Sequence, residues 1–359
     1  MNPPRVPRRQ ARTVGLLGAA VGVVAAGVAT AFAVERTLVR KSFNAPGDPY
    51  TEEQFTDQPF DDQLTVAAAD GTLLHVEIVE PKAPAGKPTI VFVHGFALDM
   101  GTFHFQRKVL TEQGEYRLVF YDQPGHGRSS RLKSGNYDIA ALGKSLAAVL
   151  DATVPDGHII LVGHSMGGMT IMAFAEQHPE WFGRRVTGVV LMSTSAGLVD
   201  KTKLGLPLLV ARASAPFFPL WGRAAQVGGG ALDKARVATS DLAWLLTRRY
   251  GFGDSRPSPT LVTFVEAMNS RTTVETLTKY LSTLYAHDGL PALSALLGVP
   301  VLVLVGTRDY LTPVAHSEQI LKHLPEAELV KIDNSGHVVM LEKADKVNAA
   351  LIPFLEKIS

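Results

Sequence analysis

The stretch HIILVGHSMGGMTIMAFAEQ, His158 to Gln177, constrains this chain more than any other. Its first half is a continuous aliphatic run of the kind found in strands buried on both faces. Its second half reads as a helix, and the turn between them is Gly-His-Ser-Met-Gly-Gly. An ordinary strand-to-helix turn has no need of glycine two residues before and two residues after a serine. A sharp turn at the carboxyl end of a central strand does need them, because its strained backbone passes too close to its neighbours for side chains at Gly163 and Gly167. Such a turn lifts the Ser165 hydroxyl above the sheet and leaves the N–H of Met166 at a helix N-terminus, where it can face a developing oxyanion. A glycine-rich turn with a capping serine is the plainer alternative.

The rest of the chain supplies the sheet that this turn requires. LTVAAADGTLLHVEIVEP reads as two strands about an Asp70-Gly71 turn. TIVFVH, YRLVFYD, HIILVG, VTGVVLMS, VPVLVLVG and AELVKID are rich in Val, Ile and Leu without clean alternation, and helical stretches such as IAALGKSLAAVLDAT and AHSEQILKHL lie between them. Strands alternating with helices predict an α/β fold with a doubly wound, mostly parallel sheet of eight strands. The alternation breaks once, so residues 197–288 are expected to form an inserted helical cap between core segments 64–196 and 289–359.

Before the core come a basic flank (residues 1–13), an uncharged apolar segment (14–34) and a polar, acidic linker or strap (35–63). Val14 to Val34 contains 21 residues, roughly 31 Å of helix and close to the hydrocarbon thickness of a bilayer. It predicts a single-pass membrane anchor. Four arginines before it, against Arg36, Arg40 and Lys41 after it, place the folded domain on the extracytoplasmic side. The rival is secretion after cleavage near Ala31-Phe32-Ala33. The 35 basic and 34 acidic residues of the whole chain create no field to attract nucleic acid, so no such partner is expected. Cysteine is absent, which excludes disulfides, thiolate metal sites and a cysteine nucleophile.

With these motifs in this order, the chain resembles the α/β-hydrolase superfamily, specifically its serine esterase and lipase-like members, from about Leu64 to the C-terminus. His94-Gly95-Phe96, after TIVFV, is similar to the family's oxyanion loop, which implies the Phe96 N–H as a second donor beside that of Met166. YDQPGHGRSS from Tyr121 is similar to the turn after the next strand, which implies structural roles for Asp122, His126 and Ser129, and a shaping role for His94. A serine needs a base, and the base an orienting acid. Among eleven histidines, His337 in IDNSGHVVMLE follows the last strand and returns to the edge where Ser165 projects. His316 and His323 have the spacing of a helix surface, and His164 is better suited to supporting the pocket. Asp309 follows VPVLVLV directly, although an aspartate before Leu311-Thr312-Pro313 is also a common turn or capping residue. Ser165, Asp309, His337 is the superfamily's chain order.

The resemblance therefore implies a serine hydrolase that cleaves carboxylic esters through an acyl-enzyme, without a cofactor or metal. No HExxH or tight His/carboxylate cluster is present, and GHGRSS lacks the third glycine of a dinucleotide fingerprint. Serine at the turn separates the chain from haloalkane dehalogenases and epoxide hydrolases, which carry aspartate there. Cofactor-free haloperoxidases or perhydrolases and carbon–carbon bond hydrolases share the triad, and a non-catalytic binding protein can share the fold. LGLPLLVARASAPFFPLW, in which only Arg212 is charged, and the helix-like TLVTFVEAM and TLTKYLSTLY could roof an apolar acyl pocket. A small-molecule or lipid ester with a hydrophobic acyl group is the expected partner. The rival is that these apolar faces only pack the cap onto the core.

Overall fold

The computed structural model describes residues 47–55, 58–82, 86–197 and 243–359. Eight strands run through it: β1 (Asp62–Ala67), β2 (Leu73–Val79), β3 (Thr89–Val93), β4 (Leu118–Tyr121), β5 (Ile159–His164), β6 (Val186–Met192), β7 (Val301–Gly306) and β8 (Glu328–Ile332). They form one sheet in the order β1-β2-β4-β3-β5-β6-β7-β8. β1 and β2 make the expected antiparallel hairpin, with Gly71 at φ 80° in its turn. β2 meets β4 antiparallel, and every pairing from β4 to β8 across the sheet is parallel. The order reverses at β3, which has β4 on one side and β5 on the other. Loops leaving β3 and β5 diverge there at the carboxyl edge, where open α/β sheets make room for ligands.

Alternate side chains of each strand enter cores on opposite faces. On one face Ile160 and Val162 of β5 join Leu110 of helix α1 (His104–Gln113) and Leu351 of the C-terminal helix Ala344–Lys357. On the other, Ile159 and Leu161 join Leu146 and Val149 of α2 (Ile139–Thr153) and Ile171 of α3 (Met166–Gln177). Each such Val, Ile or Leu contributes about 1.5–3 kcal/mol on burial, which explains the missing alternation in the aliphatic runs. Between β6 and β7 lie a helical stretch at 243–251, α4 (Pro259–Arg271) and α5 (Val274–Ala286). Ser258 and Thr273 start the two later helices by accepting the N–H groups of Leu261 and Thr276. Three further helices are α6 (Val314–His323), the single turn α7 (Val339–Glu342) and α8 (Ala344–Lys357). Part of the expected linker is a strap: Phe55 stacks on Phe264 of α4 at 4.4 Å, and Asp48 accepts hydrogen bonds from Thr260.

The expected membrane anchor is corrected. Among the described residues no helix is long and apolar enough to cross a membrane. The longest named helix, α2, has 15 residues, roughly 22 Å against a hydrocarbon core of about 30 Å. Residues 14–34, on which the anchor and its extracytoplasmic topology rested, lie outside the described residues, as do Leu204–Trp221.

One buried charge cluster braces the antiparallel side. Glu77 of β2 is 3% exposed and accepts from Arg107 Nη1 at 2.6 Å; Arg128 binds its other oxygen. Burial alone would raise the Glu77 carboxyl, but hydrogen bonds from His75 and Arg107 and the charges of Arg107 and Arg128 hold it down at about 2. Relative to an ordinary value of 4.5, that is about 3 kcal/mol of stability, present above pH ~4.5 and lost as pH falls through about 2. Glu77→Gln should therefore cost about 3–5 kcal/mol at pH 7, because Arg107 is left buried and under-paired. Urea unfolding at pH 7 and pH 3 should show the gap between variant and parent closing in acid; a gap that is constant with pH would contradict this account.

Candidate active site

Ser165 sits at the end of β5 with φ 52° and ψ −117°, a conformation that costs an L-residue about 1–3 kcal/mol. Four hydrogen bonds oppose the strain. Its N–H donates to Met192 O at 2.9 Å, and its carbonyl accepts from Thr194 Oγ1 at 2.7 Å, Gly168 N at 3.0 Å and Met169 N at 3.3 Å. The glycines follow from contact: a Cβ at Gly163 would lie 2.8 Å from Gly167 O, and one at Gly168 would lie 2.6 Å from Thr194 Oγ1. Thr194 and Gly168 are thus a matched pair, and the sequence motif shows only the glycine.

His337 and Asp309 come to Ser165 from the two neighbouring loops. Asp309, 4% exposed, directly follows β7, and His337, 7% exposed, lies between β8 and α7. Asp309 Oδ2 is 2.9 Å from His337 Nδ1, and His337 Nε2 is 2.9 Å from Ser165 Oγ. Because a carboxylate only accepts, Nδ1 carries the proton, and Nε2 is free to accept from the serine hydroxyl. Burial pushes the Asp309 carboxyl up, but facing His337 and accepting from His337 and Thr312 bring it below its ordinary value. Asp309 is also the turn aspartate that the sequence allowed, accepting from Leu311 N at 2.8 Å and Thr312 N at 2.9 Å. One of its oxygens serves the turn, and the other faces the imidazole. Thr312, which also donates to Asp309 Oδ2 at 2.8 Å, was not singled out from sequence; its position three residues after Asp309 was the available signal.

The loop after β3 passes beside Ser165. A Cβ on Gly95 would stand 2.7 Å from His164 Nδ1 and 3.1 Å from Ser165 Cβ, so Phe96 follows a glycine imposed by this approach. The Met166 N–H is the first of α3, among those with no carbonyl to meet within the helix. Next to Phe96, Ala97 (φ 60°) donates its N–H to His126 Nε2 at 3.1 Å. His126 is depressed by burial to about 3 and stays neutral. His94 is likewise pushed down by burial, to about 4, and its Nε2 accepts from Gln123 N at 2.8 Å. Gln123 in turn donates to His94 O and accepts from Thr170 Oγ1 of α3 at 2.8 Å. These neutral imidazoles tie the β3 loop to the turn after β4 and to α3, consistent with the shaping roles implied for them. Gln123 and Thr170 have no sequence signature.

His164 is fully buried and its pKa falls well below the ordinary value through desolvation. Its Nε2 is 3.0 Å from the carbonyl of His337, so it donates there as a neutral ring. His323 stays on the exposed face of α6, as its spacing predicts. Against Met166 and Met169 pack Leu132, Tyr137 and Tyr280 of α5, with Phe96 and Leu284 at the margin. A separate polar cavity of about 360 Å³, lined by residues including Asp254, Arg308, Asn334 and Lys343, contains none of the three candidate residues.

The sequence model of the alpha/beta hydrolase fold matches residues 88–344, which span β3, the Ser165 turn and both loops that bring Asp309 and His337. The chain belongs to the alpha/beta hydrolase family. The AB hydrolase superfamily protein YisY of Bacillus subtilis is 26% identical over 78% of this chain and 96% of its own. A non-heme haloperoxidase of Rhodococcus erythropolis is 28% identical over 81% of this chain and 98% of its own. Among solved structures, a thermophilic esterase from Thermogutta terrifontis superposes with a TM-score of 0.65 at 23% identity, covering 83% of this chain and 99% of that one. This alpha/beta hydrolase is therefore a hydrolase in the general sense, with relatives that differ in the reactions their names record.

Proposed function

We propose that this alpha/beta hydrolase is a serine hydrolase that cleaves carboxylic esters through an acyl-enzyme. One observation carries the reading: the unbroken line from Asp309 Oδ2 through His337 to Ser165 Oγ, with 2.9 Å at each step. In this reading His337 Nε2 takes the serine proton as Oγ bonds to the ester carbonyl carbon. The carbonyl electron pair moves onto oxygen, which the N–H groups of Phe96 and Met166 stabilise. Collapse expels the alcohol with the proton from His337, leaving the acyl group on Ser165. Water, deprotonated by the same imidazole, then releases the acid. Asp309 keeps Nδ1 protonated throughout and offsets the imidazolium charge. No step calls for a cofactor or metal.

A hydrophobic acyl group suits the partly exposed ring of Phe96, which packs on the buried cluster of Met166, Met169 and Tyr280 and belongs to the loop beside the serine. Domain boundaries at 64–196, 197–288 and 289–359 fit the same reading, with the middle segment contributing α4 and α5 as a roof. Treating the protein with a fluorophosphonate probe should label it stoichiometrically, and Ser165→Ala should leave no label. Hexanoyl p-nitrophenyl ester should be preferred over acetyl by kcat/KM. Labelling without ester turnover, but with peracid formation from acetate and hydrogen peroxide, would favour a perhydrolase instead of an esterase.

A further inference from the structure

The loop that carries His337 spans residues 333–338 between β8 and α7, with Asn334 at φ 54°. No strand ladder or helix holds it. Five residues beyond His337 stands Glu342, 8% exposed, at the end of a turn whose other residues, Val339, Met340 and Leu341, are apolar and fully buried. A carboxylate in such a place needs donors on both oxygens. Oε2 accepts from Gly336 N at 2.6 Å and Ser335 Oγ at 3.2 Å, both immediately before His337. Oε1 accepts from Asp254 N at 2.7 Å, and Gly253 N lies 3.0 Å from both oxygens. Gly253 and Asp254 precede α4, in the stretch between β6 and β7.

The two backbones joined in this way are in direct contact. A Cβ on Gly336 would fall 2.5 Å from Gly253 N, and one on Gly253 would fall 2.4 Å from Ser335 C. Val338 N donates to Gly251 O at 3.0 Å on the far side of His337. The base loop is thus fastened on both flanks to the segment before α4, and Glu342 supplies the charged end of that fastening. We propose that Glu342 is a positioning residue for His337: its carboxylate collects the N–H groups of Gly253, Asp254 and Gly336, and so fixes the imidazole between Asp309 and Ser165. Glutamine cannot replace it, because its amide nitrogen would turn donors toward a ring of donors. Charge-assisted bonds of this kind are about twice as strong as neutral ones, and a misplacement of about 1 Å in a reacting group can cost about 10²-fold in rate.

This inference rests on the serine-hydrolase reading, and the test keeps the two apart. Wild type, Ser165→Ala, Glu342→Gln and Glu342→Asp are compared on p-nitrophenyl acetate, with active sites counted by fluorophosphonate titration, and the Nδ1–H proton of His337 is followed by its downfield NMR resonance, assigned with Asp309→Asn. Per titrated site, kcat of Glu342→Gln should fall about 10- to 100-fold with KM within about 3-fold, and the resonance should broaden or vanish. Glu342→Asp, which keeps the charge and loses reach, should fall between the two. If Glu342→Gln does not fold, Ser335→Ala, which removes one bond to Oε2, should lower kcat about 3-fold or more and move the resonance. Unchanged kcat per site in the folded variant, or a slowed variant whose resonance has not moved, overturns the positioning role while leaving the serine reading intact. An unlabelled wild type, or a Ser165→Ala protein as active as wild type, removes the serine reading and this inference with it.

Discussion

Ser165→Ala is expected to lower kcat/KM for a short p-nitrophenyl ester by about 10⁴-fold or more, while the protein remains folded. That is about 5.5 kcal/mol of transition-state stabilisation. In the proposed mechanism the hydroxyl is the atom that bonds to the substrate, and His337 Nε2, 2.9 Å away, has nothing to deprotonate once it is gone except water. His337→Ala should cost about as much, and the double variant little more than either one, because the three residues act as one unit in the proposed mechanism. Asp309→Asn keeps the shape but offers an N–H or a neutral oxygen to Nδ1, so it should also lose several powers of ten. Circular dichroism establishes that the variants are folded, and stopped-time assays measure the rates. Near-wild-type turnover by folded Ser165→Ala would remove the serine reading altogether.

Gly167→Ala should be the most damaging single methyl addition. Its Cβ would lie 1.9 Å from Val93 O, 2.6 Å from Val93 C and 2.8 Å from His94 O. All three are backbone atoms at the carboxyl end of β3, so no side chain can swing away to make room. Overpacking a core usually costs about 1–3 kcal/mol; with rigid backbone on both sides the loss should reach about 3 kcal/mol or more. Any fraction that folds must move α3 away from β3. That separates the N–H of Met166 from that of Phe96 and should lower activity by about 10²-fold. Gly251→Ala, where the nearest atom is Val338 Cγ2 at 3.7 Å, is the stability control and should stay within about 1 kcal/mol. Urea midpoints for the two variants check the prediction, and equal midpoints would show that the close approach of β3 and α3 yields easily.

Much of the fold is legible in local pattern because the pattern has a local cause. A strand covered on both faces must be aliphatic throughout, and β3, β5 and β7 are buried along their whole length. The Asp70-Gly71 hairpin is visible because only a few residues accept a positive φ without strain. The candidate triad is legible because chemistry restricts residue type: of eleven histidines, His337 lies in the loop after the last strand, and Asp309 in the loop after the strand before it. The apolar segment 14–34 shows the limit of such reading. Length and hydropathy permit a membrane helix there, but the segment lies outside the described residues, and the absence of a membrane-spanning helix is a statement about the described residues alone.

The residues that sequence reading passed over share one property. Thr194, Gln123, Thr170, Thr312 and Glu342 each act through a hydrogen bond to a partner that the fold brings from elsewhere or that only the site makes meaningful. Gln106, bonded to Asn348 at 2.9 Å across 242 positions, is the same case in the core. A serine between glycines announces a tight turn, because steric exclusion acts on nearest neighbours in the chain. Which carbonyl would occupy the space at Gly167, which threonine would brace the strained serine and which carboxylate would gather the base loop depend on strands placed side by side by non-local burial. The amino-acid pattern by itself therefore determined the layers, the sharp turn and the identities of the candidate serine, acid and base. Only the tertiary structure decided their 2.9 Å spacing and the network that holds it, because a hydrogen bond depends on distance in space, and residues such as Ser165 and His337 are 172 positions apart in the chain.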